Sequence, residues 1–140
     1  MKRIIGAFEK VSFPDFGLHG IVAKIDTGAA SGSLHATDIK EVKLPTGETA
    51  VRFRPYGNKT VVTASTFKYK SVRSSNGISS MRYIIPTTIV IGEVQYPIEI
   101  SLADRTLMKK GVLIGRRFLR RHGFVVDVEK GTKYRGGVNQ

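Results

Sequence analysis

Asp26, Thr27 and Gly28 are the residues of this 140-residue chain best placed for chemistry. They follow an apolar run, Ile21-Val22-Ala23-Lys24-Ile25, that has the composition of a strand. A carboxylate at a strand end is positioned by the strand instead of drifting in solvent. Gly28 permits backbone conformations that a Cβ resists, and the small Ala29 and Ala30 let another chain or a substrate come close. The Thr27 hydroxyl can lock the loop. A solvated turn has the same composition, because Asp and Gly both favour turns, so the tripeptide alone leaves both readings open.

The second informative segment is Gly111-Val112-Leu113-Ile114-Gly115-Arg116-Arg117-Phe118-Leu119, a short apolar run that ends in glycine and leads into a helix. Around it lies the densest basic stretch: Arg105, Lys109, Lys110, Arg116, Arg117, Arg120 and Arg121. Some of these charges belong on a solvated helix face. Arg116 directly follows the Ile114-Gly115 turn, and Arg105, Arg116 and Arg117 are candidates to pair bidentately with substrate carboxylates.

Other chemistries lack their residues. With no cysteine there is no disulfide, thiolate nucleophile or Cys-type zinc site. His19, His35 and His122 lie far apart and form no His-Glu-x-x-His motif, so no metal is expected. No Gly-x-x-x-x-Gly-Lys-Ser/Thr loop is present to cradle a triphosphate, and no cofactor is expected.

The elements that must hold these residues are short strands. The pattern predicts strands at 4–8, 21–26, 34–44, 50–54, 60–64, 67–73, 82–91, 94–102 and 124–128. Pro45-Thr46-Gly47-Glu48 and Gly92-Glu93 are suited to hairpin turns between them. Only Arg116 to Arg121 reads as helix, with Phe118 and Leu119 on an inner face. The expected fold is therefore mainly β, a barrel or sandwich, in a single domain over 1–140. A content of 41% hydrophobic and 9% aromatic residues is enough for one core. No apolar run reaches membrane-spanning length and no signal-peptide core follows Met1, so the default location is cytoplasmic. The net charge of +12 creates a field that gathers anionic partners, nucleic acid and acidic polypeptide alike.

Together, the two segments resemble the retropepsin family, in which an Asp-Thr-Gly-Ala loop is followed much later by an Ile-Ile-Gly-Arg type segment that lies beneath it. A closer resemblance covers nearly the whole chain. It is to the small bacterial retropepsin-like proteins that accompany RimK-type glutamate ligases and are often labelled "ATP-dependent zinc protease". The matching segments are AKIDTGA with SLHATDI, VRSSNG with RYIIPTTI, and PIEISLADRTLM with LIGRRFL. In that family the Ala29 position is usually followed by a basic residue and a Thr-Ser pair; here Ala30, Ser31 and Gly32 follow.

The resemblance implies a retropepsin-like closed β-barrel with one short C-terminal helix, working as a homodimer. Aspartic peptidases need two carboxylates sharing one proton. The chain has one Asp-Thr-Gly, because Asp38, Asp104 and Asp127 lack a following Thr-Gly or Ser-Gly, so a second copy would bring the other Asp26. Thr27 would brace the two loops. Arg73-Ser74-Ser75-Asn76-Gly77-Ile78-Ser79-Ser80 occupies the place of the substrate-covering flap, although a plain hairpin loop has the same composition. Ala29, Arg73, Ser75 and Asn76 thus join the arginines as candidate substrate contacts. Since the related proteins sit beside ligases that add glutamates to a ribosomal protein, the expected substrate is an α-linked oligo- or polyglutamate tail. Two rivals remain: a non-catalytic basic barrel binding RNA, ribosome or acidic peptide, with Tyr56, Phe67, Tyr69 and Tyr83 stacking on bases, and a retropepsin fold that binds peptide without turnover.

Overall fold

Alternation of apolar and polar residues builds the fold strand by strand, as Val94–Ala103 shows: Tyr96, Ile98 and Ile100 point inward while Gln95, Pro97 and Glu99 face out. The structure, a computed structural model, describes residues 2–73 and 76–136. The elements run β1 (Arg3–Gly6), β2 (Phe8–Phe13), β3 (Leu18–Ile25), β4 (Gly32–Lys43), β5 (Thr49–Pro55), β6 (Val62–Ala64), β7 (Lys68–Arg73), β8 (Ser79–Ile91), β9 (Val94–Ala103), β10 (Val112–Ile114), α1 (Arg116–Arg121) and β11 (Phe124–Asp127).

Six strands pair in a ring, β10 to β3, β2, β8, β9, β4 and back to β10. The expected barrel is therefore present, but it does not close evenly. The β8–β9 hairpin stays in register from Ile84–Ser101 to Ile91–Val94. By contrast, β10 meets β4 only at Val112–Leu34 and Leu113–Ser33, and β2 meets β8 only at Val11–Ile91 and Ser12–Val90. At the first of these seams the cause is length, since β10 has three residues and cannot extend its pairing. Strands β5 and β6 continue the sheet outward from β4, and β7 is added to the free edge of β8. A separate pair, β1 and β11, runs parallel.

Turn chemistry fits these connections. Gly92 and Glu93, both at positive φ (56° and 70°), make the two-residue turn whose twist suits a hairpin. The helix lies where its sequence places it, at Arg116–Arg121, with Phe118 and Leu119 buried. The expected strand at 4–8 is in fact two. The Ala7 N–H turns aside to donate to the Lys130 carbonyl at 2.8 Å, and β2 starts at Phe8.

The barrel interior is filled by Phe13, Leu34, Phe53, Ile89, Ile100, Val112 and Ile114, all fully buried. Phe16 meets Phe53 edge-on at 5.3 Å, and Tyr96 bridges the barrel to Phe118 and Phe124 at 5.8 and 5.3 Å. Among the described residues no helix is long and apolar enough to cross a membrane.

One core-facing residue carries a cost. Tyr56 follows β5 at φ 58°, rare for a bulky side chain, and its buried hydroxyl makes no hydrogen bond of normal geometry among the described residues. Burial pushes its phenol from 10.0 up to about 12, against the opposing pull of the nearby Arg105 charge and the Gly111 backbone. The folded state thus holds this proton more tightly than the unfolded chain. Its contribution is complete below pH 10 and is lost as pH rises to about 12. Tyr56→Phe should change neutral-pH stability by no more than about 1 kcal/mol, because the lost hydroxyl has no well-made bond to give up. In urea titrations at stepped pH, the variant should also lose less stability than wild type between pH 10 and 12.

Candidate active site

Asp26 stands at the point where parallel β3 and β10 part, one residue beyond the Ile25–Ile114 pair. Its N–H donates to the Ile114 carbonyl at 2.9 Å, which carries the strand register into the loop. The Gly28 N–H donates to Asp26 Oδ1 at 3.0 Å, and the Ala29 N–H donates to the Asp26 carbonyl at 3.2 Å. Asp26 is half-buried, while Thr27 and Gly28 are exposed on the outside of the turn.

The start of α1 grips the same loop from beneath. The Arg116 and Arg117 N–H groups donate to the Ala29 and Ala30 carbonyls at 2.8 and 3.1 Å, and Arg116 Nη1 donates to the Gly28 carbonyl at 3.0 Å. The Gly115 Cα lies so close to Ser31 that an added Cβ would stand 2.7 Å from its backbone; at Gly32 it would stand 2.7 Å from the Leu113 carbonyl. Glycine is required at both positions for the close approach alone, since neither has a positive φ. The two segments singled out in the sequence, 87 residues apart at their Gly28 and Gly115, form one interlocked unit.

Beside this unit a groove runs beneath the β7–β8 hairpin. It has two lobes, of about 330 and 480 Å³, that share Ser31, Gly32, Val72, Arg73 and Ser101. The smaller lobe brings Ala29, Arg73, Asn76 and Arg105 together. The larger lobe contains Arg117 and reaches the helix. Asn76 lies at the hairpin tip, where its Oδ1 accepts the Ile78 N–H at 3.2 Å; Ser75 lies outside the described residues. Asp26, Thr27 and Gly28 sit at the edge of the groove and do not line either lobe. Arg116 turns to the Asp26 loop and is a positioning residue in this single chain.

Arg105 is held on several sides. Its Nη1 donates to Ser33 Oγ at 3.0 Å, its Nε to the Lys110 carbonyl at 3.1 Å and its own N–H to His35 Nδ1 at 2.8 Å. His35, buried in β4, accepts through Nδ1 and lies 3.8 Å from the Asp104 carboxylate. Burial depresses the Arg105 pKa below its ordinary value, and the neighbouring Arg82 charge adds to this; Tyr56 and Asp26 oppose it. Arg82 was not singled out in the sequence, yet it lines the smaller lobe with Arg105. The available signal was its place on β8, two residues beyond Ser80 of the flap-like segment and therefore on the same face of the strand. His19, exposed on β3, and His122, whose Nε2 lies 3.3 Å from the Pro97 carbonyl, stand apart from His35.

The other aspartates have partners of their own, and Asp15 accepts the Thr87 hydroxyl at 2.9 Å. Asp38 pairs with Arg54 at 2.9 Å, and Asp127 accepts the Glu129 N–H at 3.0 Å. Asp104, at the rim of the smaller lobe, accepts the Thr106 hydroxyl at 2.6 Å and N–H at 3.0 Å, bonds that lower its pKa. Of the aromatics considered for base stacking, Tyr56, Phe67 and Tyr83 pack against the core and Tyr69 is exposed upon Tyr83 at 4.5 Å.

A model of the RimB-like family, described as retropepsin-like aspartic endopeptidase RimB, matches residues 4–134. A protein described as a probable alpha-L-glutamate ligase from Parasynechococcus marenigrum (strain WH8102) is 34% identical over 144 residues, covering 99% of this chain and 30% of its own length. A protein with the same description from Shewanella pealeana is 34% identical over 121 residues, covering 82% of this chain and 26% of its own length. The chain thus spans less than a third of these curated relatives. The crystal structure of a Legionella pneumophila protein of unknown function is similar with a TM-score of 0.72 at 28% identity, covering 92% of this chain and 95% of that one.

Gly115→Ala should force the Asp26 loop off the helix turn, because the new methyl would meet Ser31 backbone and not a flexible side chain. The expected loss is roughly 1–3 kcal/mol in thermal or chemical unfolding. Gly136→Ala, where nothing lies within 4 Å, should leave the midpoint unchanged.

Proposed function

The chain belongs to the RimB-like family of retropepsin-like aspartic endopeptidases, and we propose that it hydrolyses α-linked oligo- or polyglutamate with a dyad of Asp26 residues from two copies. The observation that carries this reading is the Asp26 loop pinned against the start of α1 beside an arginine-rich groove.

The chemistry needs two carboxylates close enough that only one ionises. The ionised one takes a proton from water as the water oxygen attacks the scissile carbonyl carbon. The protonated one gives its proton to the carbonyl oxygen. Collapse of the tetrahedral species breaks the C–N bond, and the amine leaves with a proton from the dyad. One chain supplies one such carboxylate, and Asp38, Asp104 and Asp127 are bound to other partners. A two-fold axis beside the loop would bring the second Asp26, and the exposed Thr27 and Gly28 are the surface the second loop would meet.

Glutamate as substrate is supported from two directions. Arg73, Arg82 and Arg105 line the smaller lobe, and the Arg105 guanidinium is pre-organised by its bonds to Ser33 and the Lys110 carbonyl, so a carboxylate would meet a fixed cation. Moreover, a segment similar to this chain makes up part of proteins described as probable alpha-L-glutamate ligases, an activity that hydrolysis of glutamyl bonds would reverse. A glutamylated protein tail, including one on a ribosomal protein, is a partner of the right chemistry. The RNA-binding rival finds less support, because three of its four aromatics are packed against the core.

The test is incubation of wild type and Asp26→Asn with poly-α-glutamate and with a neutral peptide pool, counting new amino termini over time. Wild type should cut polyglutamate, with Asp26→Asn at least about 10³-fold slower if it removes the general base and acid. Equal cutting of neutral peptides would contradict the acidic substrate, and undiminished cutting by Asp26→Asn would contradict the dyad.

A further inference from the structure

The larger lobe of the groove is lined by residues of β7, β8, β9 and α1. It begins at Ala30 and Ser31, at the end of the Asp26 loop, and extends along α1 to His122. Two walls face each other across it. One is β7, which contributes Lys70 and Arg73; the other is α1, which contributes Arg117 and Arg121.

The charges on these walls are unbalanced. Arg117 and Arg121 are exposed and four residues apart on one helix, a spacing at which like charges repel. Among the described residues no carboxylate lies within ion-pair distance of Lys70, Arg73, Arg117 or Arg121. Glu99 is the only acid among the described residues of the lobe, and Lys68 already holds it at 3.0 Å. Cations from both elements therefore line a space of about 480 Å³ that Ile84, Ile98 and Phe118 also line. Apolar stems of glutamate would lie against these apolar side chains while their carboxylates reach Arg117 and Arg121 on one side and Lys70 on the other.

Resting on the polyglutamate reading above, we propose that this lobe is an extended subsite in which Arg117 and Arg121 bind glutamate side chains remote from the scissile bond, so that the enzyme selects long acidic tails over short ones. The Ser31, Gly32 and Ser101 saddle connects it to the smaller lobe, giving one peptide a continuous path. Side chains of an extended peptide alternate, so successive glutamates would address the helix wall and the β7 wall in turn.

Binding and turnover separate this inference from the function it rests on. Labelled α-linked glutamate oligomers of increasing length would be titrated into the Asp26→Asn protein, with and without Arg117→Gln and Arg121→Gln, by fluorescence anisotropy at two salt concentrations. Affinity should rise with length, and the double glutamine variant should bind the longest oligomer roughly ten-fold more weakly, with a shallower salt dependence. Arg117→Lys with Arg121→Lys should recover part of the affinity, since charge remains while the bidentate geometry is lost. The same variants with Asp26 intact should show a reduced ratio of kcat/KM for long over short oligomers. If the glutamine variant binds long oligomers as tightly as its parent, or weakens short and long ones equally, the subsite is overturned. If an RNA oligonucleotide of equal charge binds the lobe more tightly than the glutamate oligomer, the proposed ligand is overturned. Length-dependent binding through Arg117 and Arg121 without any cleavage by wild type would uphold the subsite and count against the peptidase reading.

Discussion

Everything at the site depends on how closely two backbone segments approach at Gly32 and Gly115. The loop after β3 lies on the turn between β10 and α1 with no room for a Cβ at either glycine. Three backbone hydrogen bonds, from Asp26 to Ile114, Arg116 to Ala29 and Arg117 to Ala30, then hold the loop, and the Arg116 side chain adds a bond to the Gly28 carbonyl. The carboxylate of Asp26 needs only a short side chain to be held in place. Backbone contacts of this kind are set by the barrel, so the accuracy of the site is inherited from the core packing of Ile25, Ile114 and Val112 beneath it.

The positive charge is arranged on this frame in two ways. Arg105 is anchored, its guanidinium shared between Ser33 and the Lys110 carbonyl and its backbone tied to buried His35. Arg73, Arg117 and Arg121 are exposed and have no carboxylate partner among the described residues. The anchored cation suits recognition of one carboxylate in fixed geometry. The exposed ones suit a repetitive, mobile acidic chain, whose attraction is screened as salt rises. Most surface ion pairs add little individually, so a tail with many carboxylates gains most from such a wall.

Local features were legible in the sequence and long-range ones were not. The helix at Arg116–Arg121, the Gly92-Glu93 turn and the Asp26 strand end all follow from patterns a few residues long. The family resemblance added the pairing of the Asp26 loop with the Ile114-Gly115 turn. Division of the N-terminal strand was missed because its cause, the Lys130 carbonyl, lies more than 120 residues away. Arg82 was missed for a similar reason, since only the folded hairpin brings it to Arg105. Likewise, the helix start predicted where Arg116 is but not that its guanidinium turns onto Gly28. The expectation of a closed barrel overlooked how short β10 is, and the barrel's seams are correspondingly uneven.

A single Asp-Thr-Gly per chain makes the pairing of two copies the central claim. It is tested most directly by exchanging subunits between wild type and Asp26→Asn and measuring hydrolysis of polyglutamate as the wild-type fraction is varied at constant total protein. If each dyad takes one Asp26 from each copy, activity follows the square of the wild-type fraction, with about a quarter remaining in an equal mixture. Activity that falls in direct proportion to the wild-type fraction after complete exchange would mean that one chain suffices, and would contradict the account.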